Sequence, residues 1–178
     1  MTITYPVPVD PTGIDAAGKG SLYFVPAIAD PKAPTIAELN AGINLSNIAY
    51  AWALNGSQGK TERTRYGYKS TAESLGRTTY APDAIEYDYD PQAVDATSGE
   101  YKHVALMAPG TTGYIIDRRG LRPSDPFVSG QILEAVIPVE LGEQMPVNID
   151  PTQEGQMIRY SQSVAVIGDV ERRVKIAA

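Results

Sequence analysis

Apolar and polar residues alternate with a period of two along much of this chain. In the stretch 127–141, Leu133, Ala135, Ile137, Val139 and Leu141 occupy successive odd positions, and an extended chain puts such positions on one face. A long strand is expected there. Between residues 84 and 92, Ile85, Tyr87 and Tyr89 alternate with Glu86, Asp88 and Asp90. A strand here has one aliphatic and aromatic face and one made wholly of carboxylates. Shorter strands are expected over 21–25, 111–120, 154–168 and 170–177. The run 44–56 is apolar enough for a buried strand, with Trp52 packed into it.

The period lengthens twice. Over 33–42, Thr35 is placed to cap a helix, Glu38 three residues later completes a capping box, and Gly42 suits the stop. Over 97–108, Thr97 and Glu100 repeat the box, and Tyr101, Val104, Ala105 and Ala108 stand at helical spacing. A strand over 102–108 is the competing reading.

Two segments fit neither period. Residues 1–20 hold Pro6, Pro8, Pro11, Gly13, Gly18 and Gly20, which reads as an arm or loop, since proline removes backbone donors. Residues 56–82 are polar, with five Lys or Arg against two acids. So long a hydrophilic insertion is a projecting loop or a hairpin whose arms are "RTRYGY" and "GRTTYA". The expected fold is mainly β: a β-sandwich or half-barrel over a single domain, 1–178, with one packed α-helix and a long projecting loop.

Composition narrows the function. The 178 residues include no cysteine, so disulfides and thiolate metal sites are out. The N-terminal stretch has no basic region followed by an apolar run, so no signal peptide is expected. No apolar run is long enough to span a bilayer, so no membrane insertion is expected. A net charge of −6 and a pI near 4.8 argue against gripping nucleic acid. They allow a surface that nucleic acid passes without sticking.

Chemistry is sparse. His103 is the one histidine, and no serine lies in a nucleophile motif, so a structural role is expected for it. The acids Asp83, Glu86, Asp88, Asp90, Asp95 and Glu100 run without an intervening Lys or Arg. A calcium loop needs converging oxygens and a tight glycine turn that "DYDP" lacks. Paired carboxylates for glycoside hydrolysis have no cleft to indicate them. A solvated strand face accounts for the same pattern. "DRRG" at 117–120 reads as a surface ion pair, and "GTTG" lacks the strand–loop–helix context of a phosphate site. No enzyme and no cofactor is expected.

Several pieces in order resemble a known family. They are "KGSLYFVPAIADPKAPTIAELNAGINLS" at 19–46, "YDYDPQ" at 87–92, "GTTGYIIDRRG" at 110–120, the "GQ" and "PVELGEQ" of 130–144, and the closing "VERRVKIA". Together they resemble the major tail proteins, or tail tube proteins, of siphophages, especially those of actinobacteria. Residues 56–82 and 145–156 depart from the pattern. The resemblance implies a virion protein assembled in the host cytoplasm. Its hexameric rings stack head-to-tail into a tube around a tape-measure protein, and DNA leaves through the lumen unbound. Alternatives are a head–tail connector or tail terminator ring, or a carbohydrate-binding β-sandwich.

Under this reading, the lumen-facing candidates are Glu86, Asp88, Asp90, Glu134 and Glu140. The candidate contacts between subunits or rings are Tyr5, Val7 and Val9 on the arm, and Arg63, Arg65, Tyr66, Tyr68 and Arg77 on the insertion.

Overall fold

The computed structural model describes residues 13–50, 52–92, 101–148, 152 and 154–178. Its elements, in chain order, are β1 (Gly20–Val25), α1 (Ile36–Asn40), β2 (Ile43–Asn44), β3 (Leu54–Arg63), β4 (Ala72–Pro82), β5 (Ile85–Asp88), α2 (Lys102–Leu106), β6 (Thr112–Arg119), β7 (Ile132–Pro146), β8 (Arg159–Val166) and β9 (Glu171–Lys175). The architecture is mainly β, a curled half-barrel sheet with two short helices, one in each of the two segments of helical period.

The main sheet is antiparallel, in the order β2-β1-β6-β7-β8-β5, with β9 also paired to β7. The 15-residue strand β7 organises it. One edge of β7 meets β6, from Thr112↔Glu140 to Asp117↔Ala135. The other edge carries β9 along its first part and β8 along its second. The expected apolar positions of β7, Leu133, Ala135, Ile137, Val139 and Leu141, are all buried, but Leu133 packs on the opposite side of the sheet from the other four. Val136 is buried too, because both faces of the sheet are covered there. The strand begins at Ile132, past the turn at Gly130 (φ 85°), and runs on to Pro146.

Two apolar clusters lie on opposite sides of this sheet. The curl encloses the larger one, which joins Phe24 of β1, Ile115 of β6, Ile137 and Val139 of β7, Ile85 and Tyr87 of β5, and Met107 beside α2. The second lies under α1 and joins Tyr23, Val25, Leu39, Ile116, Val136, Val174 and Ile176. Burying a side chain of this size is worth about 1.5–3 kcal/mol relative to exposure. Gly113 makes the first cluster possible. A Cβ there would lie 2.7 Å from the Phe24 ring and 2.8 Å from the Val25 carbonyl oxygen.

Helix α1 forms as the sequence predicts. Thr35 caps it, and both bonds of the capping box with Glu38 are present. Glu38 also accepts from the Ala29 amide at 2.8 Å, and these backbone donors hold its carboxyl below the usual value. Its last turn closes at Ala41, one residue before Gly42.

Helix α2 settles 102–108 against the strand reading, but it buries a different face from the expected one. His103 and Met107, spaced i and i+4, point inward, while Ala105 is exposed. The capping pair Thr97 and Glu100 lies outside the described residues. His103 contacts the Asp88 carbonyl oxygen through Nε2 at 2.7 Å and meets the Tyr87 ring edge-on.

Two expectations are corrected here. The run 44–56 is not one strand. Asn44 Oδ1 accepts from the Ser46 amide at 3.0 Å and from its hydroxyl at 2.6 Å, a local turn that stops extension after β2. Trp52 is half-buried against the first cluster. The pair in "DRRG" is not a surface pair throughout. Arg119 bridges Asp117 at 2.9 Å, but Arg118 is fully buried. It donates to Ser21 Oγ, to Tyr23 Oη and to the Arg122 and Asp125 carbonyls, and its guanidinium lies 4.7 Å from the Phe127 ring centroid. It fastens the loop after β6 to β1. The insertion takes the second of the two forms expected for it, a hairpin of β3 and β4.

Strand β9 is kinked at Arg173, whose φ is +53°. The kink turns Arg172 beside Ala135 and toward a cleft, while Val174 enters the second cluster. A non-glycine residue in this conformation costs roughly 1–2 kcal/mol.

Candidate assembly surfaces

The sheet is covered on its concave side by the first cluster. On the other side it is covered by α1 and by the loop after β6, whose Phe127 packs on Tyr23. Beyond these, no element among the described residues lies over the outer face of β7, β8 and β5. Cα partners share a face, so the register identifies what stands there. Thr112 faces Glu140, Glu140 faces Ala165, and Ser161 faces Glu86. Asp88 follows Glu86 by two residues and faces Arg159. Three of the five candidate acids, Glu86, Asp88 and Glu140, therefore share one sheet face. Between them lie the small residues Ser161, Ser163 and Ala165 of β8.

β7 has a register shift between Leu141 and Gln144, an irregularity of the kind that bends a strand and increases its twist. Gly142 lies against Ser163 so closely that a Cβ would clash with its hydroxyl.

This face is not wholly carboxylate. Arg159 approaches Glu86 at 3.3 Å and lies 5.0 Å from the Tyr50 ring centroid. The Arg159 Nε points off the hydrogen-bond direction, so the contact is an ion pair only. Tyr50 donates to Asp88, and that bond raises the Tyr50 pKa above its ordinary value. Sequence reasoning missed Arg159 because its partner on β5 is 73 positions away. The other two acids lie elsewhere. Asp90 follows the end of β5 and accepts from the Gln92 amide at 2.8 Å. Glu134 is half-buried on β7, near enough to Arg119 to favour its charge.

Behind the open face, a buried polar network holds α2. Gln162 Nε2 donates to the Met107 carbonyl at 2.7 Å and to the Gly142 carbonyl at 2.8 Å. Gln144 Nε2 donates to the Val104 and Met107 carbonyls and to Tyr87 Oη. Tyr87 Oη in turn donates to Gln162 Oε1 at 2.9 Å. These bonds satisfy carbonyls that a short helix leaves without partners at its C-terminal end.

The second surface is the hairpin. Strands β3 and β4 pair from Leu54↔Pro82 out to Arg63↔Ala72, with a register shift between Gln58 and Lys60. At about 3.3 Å per residue, each arm runs roughly 30 Å. Almost every residue is exposed. Arg63 ends β3, Arg77 lies within β4, and Arg65, Tyr66 and Tyr68 form the tip. The Tyr68 amide bonds the Arg65 carbonyl at 2.9 Å to close the turn. The expected first arm is thus displaced, since "RTRYGY" is mostly tip and 54–63 is the true first arm, while "GRTTYA" lies within β4 as expected. A two-stranded hairpin alone is at best marginally stable in water. It carries five of the 15 cations and two of the 21 acids of the chain. A basic arm thus extends from an acidic body. Tyr5, Val7 and Val9 lie outside the described residues.

Among the described residues, no group of three or more His, Cys, Asp or Glu side chains could hold a metal ion, and no helix is long and apolar enough to cross a membrane. What the geometry offers is surface: a half-covered sheet and an uncovered hairpin, the marks of a subunit that meets copies of itself. The chain matches the phage tail tube protein family over residues 7–178, and it belongs to that family. Its role is therefore that of a structural component of the virion tail, self-assembling into a tube with other tail proteins. No curated protein matches it.

Proposed function

We propose that this chain is the repeating unit of a siphophage tail tube. Copies close into hexameric rings, and the rings stack head-to-tail around a tape-measure protein. DNA later leaves through the lumen without specific binding. The subunit forms one domain, is not an enzyme and needs no cofactor.

The observation that carries this reading is the open outer face of β7, β8 and β5, with Glu86, Asp88 and Glu140 on it. A wall that attracted phosphates would hold DNA by releasing its counterions, and the hold would grow with every contact. A wall of carboxylates and small hydroxyls stays hydrated and keeps the polyanion off.

The hairpin supports stacking. A contact between its tip and a different surface of the next ring is heterologous, so it propagates into an open filament. Arg63, Arg65, Tyr66, Tyr68 and Arg77 supply that contact.

Electron microscopy of the purified protein tests the proposal. Long hollow tubes with sixfold rings are the expected result. Isolated rings would point instead to a connector or terminator, and monomers at high concentration would refute self-assembly.

A further inference from the structure

Strand β9 has two features that the subunit does not use. Within the described residues it pairs with β7 alone, leaving its other edge without a strand. It also carries Arg172, Arg173 and Lys175, all exposed. Arg172 lies 6.0 Å from the Tyr80 ring centroid and lines a cleft of about 450 Å³ with Trp52. Arg173 and Lys175 form no ion pair and no side-chain hydrogen bond with the described residues.

Arg173 is the informative one. It occupies the single positive-φ position held by a residue other than glycine among those described. Glycine would take that conformation without strain. Arginine costs stability there, and its side chain gains no ion pair or hydrogen bond from the described residues in return. Strain of this kind collects at functional positions.

Beyond β8, on the same side of β7 as β9, the charge is opposite. The stretch 83–90, around the terminal strand β5, holds Asp83, Glu86, Asp88 and Asp90 and no cation. Glu86 is engaged by Arg159 and Asp88 by Tyr50. Asp83 and Asp90 are exposed and form no ion pair with the described residues; Asp83 accepts only from Asn55 Nδ2, at 2.9 Å, and Asp90 from the Gln92 amide, at 2.8 Å, among them.

We infer that Arg173 and Lys175 on the free edge of β9 dock against Asp83 and Asp90 of a second copy of this chain. The contact joins neighbours within a ring. It is heterologous, since the two surfaces differ, and it closes if the rotation between copies is right. Charge complementarity of this sort fixes orientation and rejects wrong pairings more than it adds affinity. The inference rests on the tube reading above and names the lateral contact within it.

Three variants test it, with tube yield read by sedimentation and electron microscopy and subunit folding read by thermal unfolding. Arg173→Gly removes the charge and relieves the backbone together. Its subunit should melt no lower than wild type, yet its tube yield should fall about tenfold, the scale of one lost charge contact. The double reversal Arg173→Glu/Lys175→Glu should abolish tubes. Adding Asp83→Lys/Asp90→Lys to the same chain should restore them.

Wild-type yield from Arg173→Gly or from the double reversal overturns the inference. Failure of the fourfold variant to recover, with its fold intact, overturns the choice of Asp83 and Asp90. Wild-type protein that forms no tubes removes the reading beneath it, a result distinct from all of these.

Discussion

The Tyr50 hydroxyl donates a 2.6 Å hydrogen bond to Asp88 Oδ1, tying the segment before the hairpin to the acidic side of β5. The backbone reinforces the tie. The Tyr50 amide bonds the Glu86 carbonyl at 2.9 Å, and the Asp88 amide bonds the Ile48 carbonyl at 3.2 Å. The terminal edge of the sheet is thus closed by the subunit's own chain. An exposed edge invites uncontrolled pairing, and this one is sealed. Contacts between copies on that side then fall to side chains, where charge can select the partner.

Tyr87 makes folding stability depend on alkaline pH. Burial pushes its phenol up to about 12, against an ordinary value of 10.0, although the Gln144 donor pulls the other way. The folded state therefore keeps its proton after the unfolded chain has lost it. Stability is unaffected below pH 10 and falls as pH rises from 10 toward 12, by about 2 kcal/mol for this group. Denaturant titrations at pH 8, 10 and 11.5 should show the fall. Tyr87→Phe should be less stable at pH 8, since it loses a buried hydroxyl network, but its pH slope should be shallower. Tyr50 and Tyr160, both raised, account for the slope that remains.

Gln162 is the residue on which α2 depends most. Gln162→Leu fits the apolar surroundings but strips partners from the Met107 and Gly142 carbonyls and from Tyr87 Oη. Leaving buried polar groups unpaired costs about 1–3 kcal/mol each, with partial relief from Gln144. A loss of about 2–4 kcal/mol in unfolding free energy is expected. Amide exchange should accelerate at 103–107 before it does in β6. Equal acceleration everywhere would show that the network stabilises the whole molecule and not the helix in particular.

What the sequence revealed follows the range of each interaction. The alternation in β7 and β5 was legible because one face of each is buried, and period two is a local property. The capping box at Thr35 and Glu38 spans three residues and appears as written. The turn at Asn44–Ser46 is equally local, but it sits inside an apolar run that resembles a strand. Arg118 looked like a surface charge because its acceptors on β1 lie nearly 100 positions away. The shared face of Glu86 and Glu140 was invisible for the same reason: it exists only once β8 lies between β5 and β7. The hairpin was legible as an insertion and its second arm as a strand, but its first arm was misplaced, since both of its faces are polar and no periodicity fixes its register.

The hairpin tip should be dispensable for folding and required for stacking. Replacing 64–71 with a two-residue Asn-Gly turn keeps the flanking pair Arg63↔Ala72 and suits a tight hairpin. The melting temperature should change little, because the removed residues are exposed. Rings should still form under conditions that give wild-type tubes, but they should not stack. Full-length tubes from this variant would move the stacking contact elsewhere.

Glu140 is the cleanest probe of the lumen. Glu86 has Arg159 beside it and Asp88 has Tyr50, so reversing either charge disturbs a local contact as well as the field. Glu140 is exposed and faces only Thr112 and Ala165. Glu140→Lys should leave subunit stability within about 0.5 kcal/mol of wild type, as surface changes usually do. Its tubes should be normal in number and length. In a tube, however, the substitution repeats in every subunit, and a lysine facing the bore meets phosphate after phosphate. Each contact adds about 0.9 to the slope of log affinity against log salt. Tubes of the variant should therefore retain short duplex DNA at low salt and release it steeply as salt rises, while wild-type tubes retain none. Phage carrying the change should deliver DNA slowly at low ionic strength. DNA passage indifferent to the charge at Glu140 would mean that this face does not line the channel, and the search would pass to the other side of the sheet.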